Sequence, residues 1–225
     1  MNTNQDLQTR KDIISSCLQM NASGLNQGTS GNISVRSEND ILITPTSLPY
    51  NETEPEDIVS MSLDGEYGNY NGRRKPSTEW RFHLDTYLQR DDIGAMVHTH
   101  SIYATTLSML RIEIPACHYM VAVFGGPSVR CADYAIFGSE QLSKNILTAM
   151  EGRSACLLGT HGMLVTGKTL KEAMWSAREL ETLAHQYYLT IQSGREPVIL
   201  DDEHIYEVVD KMKSGYGIWN HDPDQ

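Results

Sequence analysis

The residues whose spacing carries the most chemistry are His98 and His100, at the end of the run Ile93-Gly94-Ala95-Met96-Val97-His98-Thr99-His100. On an extended chain, residues i and i+2 face the same side with Cα atoms roughly 6.5–7 Å apart, so two imidazoles can converge on one ion. Taken alone, the pair also reads as two polar residues closing a buried strand. Two further groups complete a donor set. His161 sits at a polar tip between the apolar runs Ala155–Leu158 and Met163–Val165, with Gly162 freeing the backbone beside it. Glu79 follows Pro76-Ser77-Thr78 in the expected first turn of a helix, where carboxylates also occur for dipole reasons. Three imidazoles and one carboxylate suit zinc or another first-row divalent ion. His83, His118, His185, His204 and His221 have no such companions in sequence and read as structural or surface groups.

Three clusters could hold an anion. Gly28-Thr29-Ser30-Gly31-Asn32 combines two glycines, which let backbone N–H groups turn inward, with hydroxyl and amide donors. Thr44-Pro45-Thr46-Ser47 offers hydroxyls at a second strand end, and Ser77-Thr78 offers them at a helix N-terminus. Each alone is an ordinary turn or cap. Neither a Walker lysine nor a GxGxxG run is present, so nucleotide binding is not indicated.

The elements that must position these groups follow from periodicity. Helices are expected over 5–22 (apolar at Leu7, Ile14, Cys17 and Leu18, ended by Gly24), from Ser77 or Thr78 as N-cap (apolar at Trp80, Leu84, Tyr87 and Leu88), and over 101–110, 139–150, 169–192 and 202–213. Strands are expected at Ile33–Val35, Ile41–Ile43, Ile58–Met61, Ile93–Val97, Ala155–Leu158 and Met163–Val165, with Asp64-Gly65 as a hairpin turn. Interleaved strands and helices with local hairpins predict an α/β or α+β domain around a partly antiparallel sheet.

Composition narrows the partners. The chain has 225 residues and a net charge of -11, with 40% apolar and 21% charged residues. That suits one globular domain, 1–225, with a large core. Strong acidity argues against nucleic acid, which needs a basic footprint. No apolar run approaches membrane-spanning length, so no membrane partner is expected. The N-terminus is polar, and Cys17, Cys117, Cys131 and Cys156 are widely spaced without a CxxC. Reduced thiols in a cytoplasmic protein are the expectation.

Gly28-Thr29-Ser30-Gly31-Asn32, Thr44-Pro45-Thr46, Pro76-Ser77-Thr78-Glu79, His98-Thr99-His100, Ile114-Pro115-Ala116-Cys117-His118-Tyr119 and Gly159-Thr160-His161-Gly162 occur in this order. Together they resemble the class II aldolase/adducin family over about residues 6–217. The resemblance implies a single-domain fold with a central, mainly antiparallel sheet flanked by helices. It also implies a homotetramer with active sites at subunit interfaces. It makes His98, His100 and His161 the metal ligands, with Glu79 completing the resting coordination and then acting as acid/base. One divalent ion per subunit is implied, Zn2+ first, with Mn2+ or Co2+ as alternatives. Gly31, Asn32, Thr46, Ser77 and Thr78 fall where the substrate phosphate is held. Tyr119 matches a tyrosine that reaches a neighbouring subunit's site. Tyr216, in a mobile tail over 214–225, matches a second tyrosine that closes on the substrate.

The activity implied is cleavage of a ketose 1-phosphate to dihydroxyacetone phosphate and an aldehyde. Lewis-acid catalysis fits better than a Schiff base, because all seven lysines sit in polar contexts. Fuculose 1-phosphate, 5-deoxyribulose 1-phosphate and 5-methylthioribulose 1-phosphate are the candidate substrates. Bulky Phe124 would favour a less polar sugar tail if it lies at the pocket, or it is core packing. The alternatives on the same fold are a sugar-phosphate 4-epimerase and a methylthioribulose-1-phosphate dehydratase, against which Glu79 discriminates. A non-catalytic interaction module is the rival of another class, and it has no reason to keep three histidines and a carboxylate together.

Overall fold

The computed structural model describes residues 3–215; of the expected tail over 214–225, Tyr216 and all that follows lie outside the described residues. Among the described residues there are six helices: α1 (Thr3–Ala22), α2 (Trp80–Gln89), α3 (Ile102–Leu110), α4 (Glu140–Ala149), α5 (Leu170–Gln192) and α6 (Asp202–Lys213). Ten strands run β1 (Asn32–Ser37), β2 (Asp40–Ile43), β3 (Val59–Ser62), β4 (Tyr70–Asn71), β5 (Ala95–Thr99), β6 (Ile114–Pro115), β7 (Ser128–Val129), β8 (Cys131–Ala132), β9 (Ala155–Leu158) and β10 (Gly162–Gly167). Eight of them form one sheet in the order β4-β3-β2-β1-β5-β10-β9-β8, while β6 and β7 pair separately. Every pairing in the large sheet is antiparallel except β8–β9.

The strands read as continuous apolar runs because both faces of the sheet are covered. Val97, Leu157, Met163 and Val165 face a core shared with α1, α3, α5 and α6. Their neighbours Met96, Cys156, Leu158 and Leu164 face the opposite core, shared with α2 and α4. Period-two alternation thus feeds two cores from one strand.

Two helix faces differ from expectation. In α1 the buried positions are Ile13, Cys17 and Met20, a true i, i+4, i+7 seam, whereas Leu7 and Leu18 are exposed. In α2 the buried residues include Phe82, His83, Leu84, Thr86 and Tyr87, while Leu88 is exposed. The Asp64-Gly65 turn is part of a longer loop, since Met61 pairs with Tyr70. Gly24 does end α1, at φ 73°, where only glycine is unstrained. Among the described residues no helix is long and apolar enough to cross a membrane.

Candidate active site

The three central strands β1, β5 and β10 converge the expected ligands. Asn32 pairs with His98 across β1–β5, and Leu164 pairs with His98 across β10–β5. By alternation, His98 rises on the α2 face and is fully buried. Its Nδ1 lies 2.8 Å from the Met163 carbonyl oxygen, so Nδ1–H donates there and Nε2 points into the cage. His100, one residue past β5, brings its Nε2 to 3.1 Å from the His98 Nε2.

His161 enters from the turn between β9 and β10. Thr160 there adopts φ 58°, held by its N–H to the Ser108 carbonyl oxygen at 2.9 Å. Gly162 was expected to free the backbone, but its φ is outside the left-handed region. Space is the reason for glycine: a Cβ would stand 2.5 Å from the Thr99 carbonyl oxygen and 3.0 Å from the His100 ring.

Glu79 arrives from the other side of the cage. It is the residue before α2, rather than within its first turn, and neither Ser77 nor Thr78 is the N-cap. Ser77 Oγ instead accepts the Glu79 N–H at 3.3 Å. The carboxylate is buried, with Oε2 3.2 Å from His98 Nε2 and Oε1 3.2 Å from His161 Nε2. Asn32 Nδ2 donates to Oε2 at 3.0 Å, whereas Oε1 has no hydrogen-bond partner among the described residues. One ligand atom from each of Glu79, His98, His100 and His161 lies within 4.8 Å of the others. An orphaned carboxylate oxygen facing three imidazole nitrogens fits a divalent cation.

The electrostatics agree. Burial pushes the Glu79 carboxyl up, yet His98, His161 and the Asn32 amide outweigh it and hold it down at about 2. Burial, with the charge of His98, lowers His161 to about 3 and His100 to about 4. Both rings are therefore unprotonated near neutral pH. Burial opposes charge on His98 as well, but adjacent Glu79 raises it.

A cavity of about 390 Å³ opens beside the cage, walled by Glu79, His100 and His161. Gly31, Asn32, Thr46, Ser77 and Thr78 all line it, with Thr29, Ser30 and Ser47. Gly31 is required for close approach: a Cβ would meet the His98 carbonyl oxygen at 2.7 Å. Among the described residues no lysine lines this cavity.

The structure separates other expectations from the cavity. Tyr119 begins a 3-10 turn, is half exposed, and does not line the cavity of its own chain. Phe124 is fully buried in the core beneath α5 and α6, so it is packing and says nothing of the substrate. Tyr216 lies outside the described residues.

Sequence reasoning missed three features. Tyr134, Ala135 and Phe137 form a further cavity wall from a loop without a recognisable pattern. The Glu181 carboxylate of α5 caps α3 just after His100, accepting from Ser101 Oγ at 2.7 Å and the Tyr103 N–H at 2.8 Å. His83, read as structural or surface, is fully buried behind Glu79. The signal for it was Glu79-x3-His83-x3-Tyr87, one polar side of α2.

Comparison with known proteins gives one answer. The 5-methylthioribulose-1-phosphate/5-deoxyribulose-1-phosphate aldolase of Rhodospirillum rubrum is 48% identical over 92% of this chain and 92% of its own. The L-fuculose phosphate aldolase of Escherichia coli K12 is 44% identical over 92% of this chain and 95% of its own. A solved L-fuculose 1-phosphate aldolase superposes with a TM-score of 0.86 at 40% identity, covering 91% of this chain and 95% of that one. A sequence profile described as Class II Aldolase and Adducin N-terminal domain matches residues 11–188. This chain belongs to the class II aldolase and adducin family, and it is a divalent-metal-dependent aldolase.

Proposed function

We propose that the protein cleaves a 5-deoxypentulose 1-phosphate, such as 5-deoxyribulose or 5-methylthioribulose 1-phosphate, to dihydroxyacetone phosphate and an aldehyde. The carrying observation is one cavity with a Glu79–His98–His100–His161 cage, hydroxyl and amide loops for a phosphate, and a wall of Tyr134, Ala135 and Phe137. That wall offers apolar surface and a single phenol, which suits a sugar tail without a terminal hydroxyl. The names of the Rhodospirillum and Escherichia relatives support a ketose 1-phosphate and keep fuculose 1-phosphate as the second candidate.

His98, His100, His161 and Glu79 would hold the ion, for which zinc is the proposed identity because imidazole and carboxylate donors suit it. When bound, the ion supplies a Lewis acid for the adjacent carbonyl and hydroxyl oxygens of the ketose. The chain's own groups do the rest. Gly31, Asn32, Thr46, Ser77 and Thr78 hold the phosphate through N–H and hydroxyl donors, with no lysine or arginine on that wall. Tyr119 of a neighbouring copy takes the proton of the C4 hydroxyl as the C3–C4 bond breaks. Tyr119 passes that proton on through solvent to Glu79, which is ionised at rest, and Glu79 delivers it to C3, giving dihydroxyacetone phosphate, so the proton lost at the C4 oxygen is the one gained at C3. Tyr119's exposure and its place away from its own cavity support a site completed between copies of a homotetramer. Four unpaired cysteines, two of them buried, support work in the reducing cytoplasm.

The test is a panel of ketose 1-phosphates offered to metal-loaded protein, with dihydroxyacetone phosphate detected enzymatically. The deoxypentulose phosphates are expected to give the highest kcat/KM, and chelated protein no cleavage. A clear preference for fuculose 1-phosphate would overturn the choice of tail, and epimerisation without cleavage would overturn the aldolase reading.

A further inference from the structure

Behind the four ligating groups runs a buried polar column for which the aldol chemistry has no use. Helix α2 presents Glu79, His83 and Tyr87, spaced four apart, to Asn32 and Ser34, alternate residues of β1. His83 is fully buried. Its Nε2 lies 2.5 Å from Asn32 Oδ1 and its Nδ1 lies 2.7 Å from Ser34 Oγ. Asn32 Nδ2 in turn reaches Glu79 Oε2 at 3.0 Å. Tyr87 closes the far end, donating its hydroxyl to the Ser34 carbonyl oxygen at 3.0 Å.

The Glu79 carboxylate fixes the proton arrangement at the cage end of this column. An ionised carboxylate only accepts, so Asn32 must turn its NH2 towards Glu79 and its carbonyl towards His83. His83 must therefore carry a proton on Nε2; in the neutral ring Nδ1 accepts from the Ser34 hydroxyl at 2.7 Å, and that single proton is then not given to the Tyr87 oxygen 3.1 Å away. Flipping the Asn32 amide would set its oxygen against the Glu79 carboxylate. No residue other than His83 donates to Asn32 Oδ1 among the described residues.

We propose that His83 is a positioning residue: by donating to Asn32 Oδ1 it holds the amide in the orientation that keeps an N–H on Glu79, and so sets the carboxylate in the metal cage. A fixed second-layer partner holds a ligand in its binding geometry and spares the ion that ordering step. Asn32 also lines the phosphate end of the cavity, so the same donor ties the anion seat to the cage. The inference rests on reading Glu79 as a metal ligand, which metal content of the unaltered protein and of Glu79→Ala tests separately.

The experiment uses metal-free full-length protein titrated with Zn2+ against a chromophoric chelator. His83→Gln keeps an N–H near the Nε2 position, whereas the shorter amide of His83→Asn reaches only the Nδ1 position. His83→Asn is expected to weaken zinc binding by about 10–100-fold, and His83→Gln to restore most of it. In an Asn32→Ala background, His83→Asn should cost nothing further. Equal losses in the two variants, unchanged affinity in both, or full additivity with Asn32→Ala would each overturn the proposal. If His83→Asn does not fold, the unaltered protein still decides. Its 15N-histidine NMR spectrum should show His83 protonated on Nε2 and bare on Nδ1, and the opposite tautomer would overturn the assignment.

Discussion

Asn32 and His98 are cross-strand partners in the β1–β5 ladder, with both side chains rising on the α2 face of the sheet. A donor of the proposed anion seat and a proposed metal ligand are thus held opposite each other by backbone hydrogen bonds. Their relative position is set by a strand ladder, not by loop packing. Glu79 joins them from α2, 3.0 Å from the Asn32 amide and 3.2 Å from the His98 ring. An ion and a phosphate bound at these two residues would be registered to one another before any substrate arrived.

Glu79→Gln keeps the volume and an oxygen for the proposed coordination but removes the proposed proton carrier. Metal should be retained, with kcat down by about two to four orders of magnitude, the usual worth of general acid–base catalysis. Metal analysis and steady-state kinetics on the same sample check this. Near-normal turnover would move the proton transfer to another group.

Tyr119 does not line its own chain's cavity, which makes complementation decisive. Tyr119→Phe and His100→Ala proteins should each be nearly inactive. Mixed oligomers made by co-expression should regain activity well above either parent, because some sites combine one parent's cage with the other's tyrosine. Verified hetero-oligomers as inactive as the parents would place Tyr119 outside the reaction of a neighbouring site.

Gly162→Ala tests the packing of the cage without touching a ligand. The new Cβ would lie 2.5 Å from the Thr99 carbonyl oxygen, between His98 and His100, so the strand must shift. Metal affinity should fall by about 10–100-fold, as for other changes just outside a ligand set. Chelator competition measures it, and unchanged affinity would show that β5 yields without moving either ring.

Asp57 anchors the segment that leads into Ser77-Thr78-Glu79, with its Oδ1 2.7 Å from Arg73 Nε and 2.9 Å from Arg74 Nε. The Arg73 hydrogen bond, working against burial, holds its carboxyl well below the ordinary range. A depressed pKa means that the stabilisation is full above the unfolded value of about 4 and fades as pH falls below it. Asp57→Asn should cost about 1.5–3 kcal/mol at pH 7, or roughly 3–12 °C in Tm. The gap should narrow by pH 3. Thermal melts at both pH values check the sign, and a gap that widened in acid would contradict the ion-pair origin.

Phe124 and Phe137 should separate stability from specificity. Phe124 is wholly buried, so Phe124→Ala should cost about 3–5 kcal/mol and leave the ranking of substrates unchanged. Phe137 is 60% exposed on the cavity wall, so Phe137→Ala should change stability by about 0.5 kcal/mol or less. Its effect should instead be a raised KM for the deoxypentulose phosphates, read by melts and kinetics together.

The sequence by itself determined the chemistry available and most of the scaffold that carries it. His98 and His100 stand two apart at the end of an apolar run, and strand geometry alone turns such a pair to one side. Helices over 169–192 and 202–213 were legible from periodicity and caps, and the structure has them at Leu170–Gln192 and Asp202–Lys213. The glycine, hydroxyl and amide clusters around Asn32, Thr46 and Ser77 declared their donors by composition. Only the tertiary structure decided that Glu79, His98, His100 and His161 share one cage, because antiparallel register and helix placement arise from packing between distant segments. The same limit explains Phe124 and His83. A phenylalanine reads alike in sequence at a pocket or in a core, and a histidine reads alike on a surface or behind a ligand. Which β1 residue α2 covers, and therefore what His83 touches, is set by how two cores close on the two faces of one sheet.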